Sequence, residues 1–282
     1  MLARLYGKAR IGNVIMFICL MILAIMWMVP LWLSFVTSLK YEAEIFRGSF
    51  TWIPLQPTWF NYDFIFGGPG NVRVFNWIFN SAVIATTHTI LLLIICSLAA
   101  YAYARLEFKG RTFLFTTLMA TMMIPGVINF IPNFIIVDRL GWLDTHFAMI
   151  FPGLSGVFGV FLLRQFFLGI PKEIEESARI DGASEFKIYS HLFMPLSKPA
   201  LVALGILTFL GNWNDYLWPL LVTFRHESLT LTVGVALLSS QYGHHRGVVL
   251  AGASIGAIPP LILFIIGQRQ FVKGITFSAV KG

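Results

Sequence analysis

The sequence predicts an all-α membrane protein with six transmembrane helices and both termini on the cytoplasmic side. Three observations predict it: an apolar composition, six apolar stretches of bilayer length, and a lopsided distribution of Lys and Arg. Of 282 residues, 57% are apolar and 12% charged, against about 45–50% and about 25% in soluble domains. Mean hydropathy is +0.77. These values exclude a disordered chain and a soluble globule. The net charge of +7 rests on only 20 Lys and Arg, so a basic nucleic-acid-binding domain is excluded as well. Cys19 and Cys96 both lie in apolar runs and offer neither a disulfide framework nor a metal site.

A spanning helix needs about 20 apolar residues, because each adds ~1.5 Å across a hydrocarbon core ~30 Å thick. Such stretches occur at 12–37, 76–103, 113–137, 147–168, 200–224 and 247–268. The first follows Arg4, Lys8 and Arg10, as a signal peptide would. Its apolar run of ~25 residues is too long for an h-region, and no A-x-A site follows, so it reads as an uncleaved span. Segment 38–75 is rich in aromatic and turn residues, among them Trp52, Pro54, Pro57, Trp59, Phe60 and the GGPG at 67–70. It fits an interfacial cap, part of a docking surface, or an aromatic belt. The second span carries a lone His88, which reads as a buried, hydrogen-bonded side chain. The third holds Asn129 and Asn133, one turn apart beside Pro132. The fourth is interrupted by Pro152, Gly153, Gly156 and Gly159. Pro30, Pro125, Pro132, Pro219, Pro259 and Pro260 also fall in spans, where neighbouring helices can cover the freed carbonyls. In the sixth, Gly252 and Gly256 form a G-x-x-x-G step suited to close helix packing. His244, His245 and Arg246 precede it and make a poor metal site.

The charges orient the chain. With the N-terminus inside, fourteen Lys and Arg lie inside: Arg4, Lys8, Arg10, Arg105, Lys109, Arg111, Arg164, Lys172, Arg179, Lys187, Lys198, Arg269, Lys273 and Lys281. Six lie outside: Lys40, Arg47, Arg73, Arg139, Arg225 and Arg246. The positive-inside rule supports that orientation over its mirror image.

The inside segment 169–199 is the most polar stretch. It holds five acidic residues: Glu173, Glu175, Glu176, Asp181 and Glu185. Pro171 suits the first turn of a helix, and the three glutamates suit its positive end. Glu175 and Arg179 are spaced to pair. Asp181-Gly182 breaks that helix. Ser184 can cap a second one running through Phe186, Ile188, Tyr189 and Leu192 to Pro195. A solvated connector would look much the same.

The run Glu176-Ser177-Ala178, then Gly182, then Leu192-Phe193-Met194-Pro195 resembles the EAA motif of bacterial ABC importer permeases, E-A-A-x3-G-x9-I-x-L-P. Ser177, Leu192 and Met194 depart from it by small or apolar exchanges. ARIDGAS at 178–184, MPLSKP at 194–199 and GNWNDYLWPL at 211–220 are similar to the oligosaccharide-uptake branch typified by the maltose importer. The resemblance covers nearly the whole chain and implies the MetI-like type I importer fold. It implies a single transmembrane domain over 1–282, with a first helix at about 12–37, an extracytoplasmic loop at 38–75, a core permease domain at about 76–272 and a coupling segment at 169–199. Glu173, Glu176, Ser177, Ala178, Arg179, Asp181, Gly182 and Pro195 would then belong to the surface coupled to a cytoplasmic ATPase. The implied partners are a second homologous permease, two ATPase copies, an extracytoplasmic solute-binding protein and the lipid bilayer of a bacterial or archaeal cytoplasmic membrane. No G-x-x-x-x-G-K-[ST] loop occurs, so ATP and Mg are expected in the ATPase, with no cofactor and no catalytic residue in this chain.

A polar cluster lies in the fifth span: Asn212, Trp213, Asn214, Asp215 and Tyr216. Counting from Ala200 puts Asn212 about 18 Å deep and Asp215 about 22 Å deep. A carboxylate there is a functional candidate by default. Amide, carboxylate and aromatic groups suit a sugar, and Asn129 and Asn133 are further pathway candidates. The competing role is structural, with Asn214 and Asp215 capping a break before Pro219. An ion-coupled transporter would show polar broken helices in both halves, and none is evident. An intramembrane enzyme lacks H-E-x-x-H, G-x-S-x-G and paired spanning carboxylates. A phosphorylated solute, such as a glycerol phosphate, would want Arg or Lys at mid-depth, and the spans have none there.

Overall fold

The computed structural model describes residues 2–47, 51–67 and 72–279, and every regular element among them is helical. In order they are α1 Leu2–Ser38, α2 Glu42–Ile45, α3 Phe60–Gly67, α4 Val74–Arg105, α5 Arg111–Ala120, α6 Phe130–Arg139, α7 His146–Ile150, α8 Val157–Leu168, α9 Lys172–Ile180, α10 Glu185–Ile188, α11 Met194–Leu196, α12 Lys198–Trp213, α13 Leu217–Val222, α14 Leu231–Gln241 and α15 Arg246–Ala279. The last three residues of the GGPG at 67–70, and Lys281 at the C-terminus, lie outside the described residues.

Three helices are long and apolar enough to cross a membrane: Gly12–Ser38 within α1, α4, and Arg246–Gln268 within α15. They match the first, second and sixth expected spans. The other three expected spans are not single helices. The third is a bent pair, Arg111–Met123 with Gly126–Arg139, turning through 93°. Pro125 causes the break. Its ring drives the preceding residue out of helical geometry, and Ile124 is extended at φ −84°, ψ 118°. The fourth is divided between α7 and the 12-residue α8. Gly156 precedes α8 with φ +21°, and a Cβ there would meet the Cys96 Sγ at 2.5 Å. Glycine thus lets α8 begin against α4. The fifth ends as α12 at Trp213 and resumes as α13 at Leu217, after a break of three residues. Upstream, Glu185–Leu196 meets Lys198–Trp213 at 76°. Pro195 does not stop its helix as expected. A π-helical turn at Tyr189–Phe193 leads into α11, whose first turn holds the proline. The expected outer loop 225–246 also contains α14.

The chain forms two compact units. The larger comprises Phe75–Gly234 and Ile258–Gly282. Within it, α4 contributes to two cores. One gathers Cys96, Ala100 and Tyr101 with Leu163 and Phe167 of α8, Phe193, and Leu204 of α12. The other gathers Ile84 with Val137, Met149, Trp218 and Val222. His88 is buried and its Nδ1 lies 2.7 Å from the Ile150 carbonyl, the role expected of it. The chain after α13 is strapped down from several sides. Trp77 donates to the His226 carbonyl at 2.9 Å, and Asn80 to those of Glu227 and Leu229. Asp144 accepts from the Phe224 and Arg225 amides at 2.6 and 2.9 Å.

The smaller unit comprises Met1–Val74 and Val235–Ala257. Residues 38–47 and 51–67 are tied together by their own hydrogen bonds. Asn61 donates to the carbonyls of Ser38 and Lys40 at 2.8 and 2.9 Å. Glu44 accepts from Thr51 and the Leu55 amide. Glu42 accepts from the Gly247 amide at 2.8 Å, a favourable place for a carboxylate at the start of α15. Trp52, Trp59 and Phe60 remain exposed. Gly252 lies against α14, where a Cβ would sit 3.1 Å from Val235, in keeping with the packing expected of the G-x-x-x-G step.

Candidate functional site

Helix α9 and its turn are polar and largely exposed. Pro171 sits at the N-cap, one residue before the helix proper. Glu173 and Glu175 occupy the first turn, where the helix dipole favours carboxylates. The helix ends at Asp181 and Gly182 has φ +78°. The Ala183 amide bonds back to the Ala178 carbonyl at 3.0 Å, and the Gly182 amide to that of Arg179 at 3.0 Å. This pair of bonds is a Schellman motif, which calls for a left-handed residue at the glycine position. Ala178 and Ala183 both pack towards the core below. Ser184 then caps α10 by accepting the Lys187 amide. The motif spacing thus builds a helix, a glycine stop and a second capped helix.

The two faces of α9 differ. Glu173, Glu176, Ser177 and Asp181 are exposed, and Glu176 has no ion pair among the described residues. Ile180 is 87% exposed and Phe186 70%, so apolar side chains stand in the open beside free carboxylates. The inner face is ionic. Glu175 is buried and meets Arg105 of α4 at 3.4 Å and Arg179 at 2.5 Å. Arg179 also holds Glu185 at 2.9 Å, and Tyr101 donates to that carboxylate at 2.8 Å. The hydrogen bond from Arg179 pulls the Glu185 carboxyl below the usual range. Arg105 donates to the Phe167 carbonyl at 2.5 Å and to that of Ile170, and lies 5.0 Å over the Phe193 ring. Removing one partner of a buried pair strands the other charge, at a cost of about 3–5 kcal/mol. The expected Glu175–Arg179 pair is present. Arg105 and Tyr101 were missed; the available signal was an Arg and a Tyr one turn apart at the end of an apolar span.

The pathway candidates lie on elements that pack together: Phe130, beside Asn129, sits 5.9 Å from the Trp218 ring, two residues beyond Tyr216. Asn212 is half-buried and donates to the Thr208 carbonyl at 3.0 Å; the exposed Asn214 donates to that of Leu210 at 2.9 Å. Asp215 is half-buried and lies two residues before α13, whose N-cap is Tyr216. Trp213 is buried and stacked on Phe209, while Tyr216 is exposed. Asn129 is exposed and Asn133 half-buried, and neither amide is hydrogen-bonded among the described residues. Asn214 bonds back into the last turn of α12 and Asp215 lies in the break before α13, while Asn214 and Tyr216 are exposed.

Long apolar helices, broken spans and an exposed motif-bearing helix joined to the core describe a multi-pass membrane transport component. The chain belongs to the family described as binding-protein-dependent transport system inner membrane component, whose model matches residues 93–276. It is an ABC importer permease, a transport component and not an enzyme. The arabinooligosaccharides transport system permease protein AraQ of Bacillus subtilis is 34% identical over 93% of each chain. The sn-glycerol-3-phosphate transport system permease protein UgpE of Pectobacterium atrosepticum is 33% identical over 91% of this chain and 92% of its own. Among solved structures, a chain of a bacterial ABC transporter involved in the import of the acidic polysaccharide alginate superposes with a TM-score of 0.81 at 24% identity, over 93% of this chain and 97% of that one. The fold is the all-helical MetI-like permease fold.

Proposed function

We propose that this chain translocates a sugar or oligosaccharide across a bacterial or archaeal cytoplasmic membrane by alternating access. The observation that carries the coupling half of this reading is α9. It presents free carboxylates and exposed Ile180 and Phe186 to a partner, while its other face is bonded into the core. An extracytoplasmic binding protein delivers the solute, and two ATPase copies holding ATP and Mg receive α9. A second, homologous permease completes the path. The chain crosses six times as one transmembrane domain, with both termini inside. Its parts are the first helix at about 12–37, the outer cap at 38–75, the core at about 76–272 and the coupling segment at 169–199. Glu173, Glu176, Ser177 and Asp181 face the ATPase. Ala178, Arg179, Gly182 and Pro195 shape the segment.

The sugar class is supported by the likeness to the arabinooligosaccharide permease and by the half-buried amide of Asn212 beside the exposed Asn214 and Tyr216. Asn129 and Asn133 supply further unbonded amides. A glycerol-phosphate solute is the second reading, favoured by the UgpE likeness. The absence of Lys or Arg from mid-span positions argues against it. The test is Glu176→Lys in the transporter purified with its partners. Wild type should bring down an ATPase, and the charge reversal should weaken assembly or uncouple hydrolysis from uptake. A wild-type chain that purifies alone and moves solute on an ion gradient overturns the reading. Competition between arabino-oligosaccharides and glycerol 3-phosphate decides the solute class.

A further inference from the structure

We infer that Tyr101 and Arg105 are positioning residues that fasten the coupling segment to the transmembrane helix α4 at two points, Arg105 on α9 through Glu175 and Tyr101 on the start of α10 through Glu185, so that the segment and α4 move as one piece. The inference rests on the importer reading above.

The contacts close a ring. It leaves α4 at Tyr101, whose hydroxyl donates to Glu185 at 2.8 Å. Glu185 holds Arg179 at 2.9 Å, and Arg179 holds Glu175 at 2.5 Å. Glu175 returns to α4 at Arg105, 3.4 Å away. Tyr101 and Arg105 are four residues apart, so their side chains share a face about 6 Å apart along the axis. A single attachment at Glu175 would let α9 swivel, whereas a second at Glu185, tied back to α9 by Arg179, resists rotation of the segment as well as sliding. Arg105 adds a third body. It donates to the carbonyl of Phe167 in the last turn of α8, which also accepts the Ile170 amide at 3.1 Å, and to the carbonyl of Ile170 just beyond the helix. Its guanidinium serves two carbonyls and a carboxylate while resting on Phe193, and a lysine ammonium cannot reproduce that fork. The alternative route from α9 runs through α10 to α12. It passes a π-helical turn and a 76° bend. Force applied at α9 is therefore delivered to α4 and α8 before it reaches α12.

The test uses the complete transporter with its ATPase and binding protein. Spin labels at Lys172→Cys on α9 and Phe79→Cys on α4, with Cys19→Ser and Cys96→Ala, report the separation of the two helices with and without ATP. The expected result is one narrow distance, unchanged by ATP, which broadens in Tyr101→Phe and in Arg105→Lys. In unlabelled complexes, either substitution should lower the kcat of binding-protein-stimulated ATP hydrolysis about tenfold, with KM for ATP within about twofold. Tyr101→Phe removes one hydroxyl and keeps the test open should Arg105→Lys fail to assemble. A wild-type distance that changes with ATP overturns the inference. So does a Tyr101→Phe complex that loses yield but keeps its kcat. Failure of the underlying importer reading looks different: wild type is then recovered with no ATPase at all.

Discussion

At the scale of single residues, Gly182 and Glu185 set the shape of the coupling segment. Any L-residue at position 182 must hold φ near +78°, a left-handed conformation that costs about 1–2 kcal/mol. Nothing lies within 4 Å of an added Cβ, so the cost is conformational and not steric. Gly182→Ala should lower the unfolding temperature modestly, and Gly182→Asn, better tolerated there, should recover part of it. Glu185 makes the segment sensitive to acid. Its carboxyl is held below the ordinary value of about 4.3, chiefly by the Arg179 hydrogen bond. A depressed carboxyl stabilises fully above its unfolded value, and the gain is lost as pH falls through the folded one. The wild-type advantage over Glu185→Gln in thermal unfolding should be constant above about pH 5 and shrink below that window. The Glu175–Arg179 pair was legible in sequence because an i,i+4 spacing places both on one helix face. The Arg105 and Tyr101 contacts were not, because they join positions 62 to 84 residues apart.

At the scale of elements, lengths were legible, and so were the breaks at Pro152–Gly156, before Pro219 and at Asp181-Gly182; the bend at Pro125 was not. Apolar runs located α1, α4 and α15. A proline in a membrane helix can be absorbed or can bend the chain. Pro259 and Pro260 lie inside α15, whereas Pro125 ends a helix. The outcome depends on neighbours the local sequence does not name. Helix α14 was hidden for a related reason. Its 11 residues are too short for a span, and its place is fixed by contacts with distant residues. Gly234 shows this: a Cβ there would sit 2.2 Å from the Trp77 ring. Gly234→Ala should displace Trp77, break its 2.9 Å bond to His226, and destabilise the unit by about 1–3 kcal/mol. Tryptophan fluorescence and thermal unfolding of the variant would register both effects.

At the scale of the whole molecule, six-span topology makes a parity prediction. Lys187 and Arg225 lie on either side of the expected fifth span. After Cys19→Ser and Cys96→Ala, a cysteine at 187 should react with a membrane-impermeant maleimide only in inside-out vesicles. A cysteine at 225 should react only from the outer face. Labelling of both from one side would remove that span. The helix α1 bears on the same question. Over Gly12–Ser38 its most apolar window has no buried residue, which in water would be untenable and in lipid is an ordinary surface.

The right-angled bend at Pro125 reaches beyond topology. Each arm, Arg111–Met123 and Gly126–Arg139, is about 20 Å long, shorter than a hydrocarbon core of ~30 Å. When one arm stands along the membrane normal, the other lies nearly flat. Around the corner Met123 is 85% exposed and Val127 and Ile128 are 62% and 61%. Backbone amides at such a corner exchange with solvent unless another surface covers them. Deuterium uptake over residues 121–129 would therefore act as a gauge of assembly: fast in the isolated subunit, slow once a partner closes over the corner.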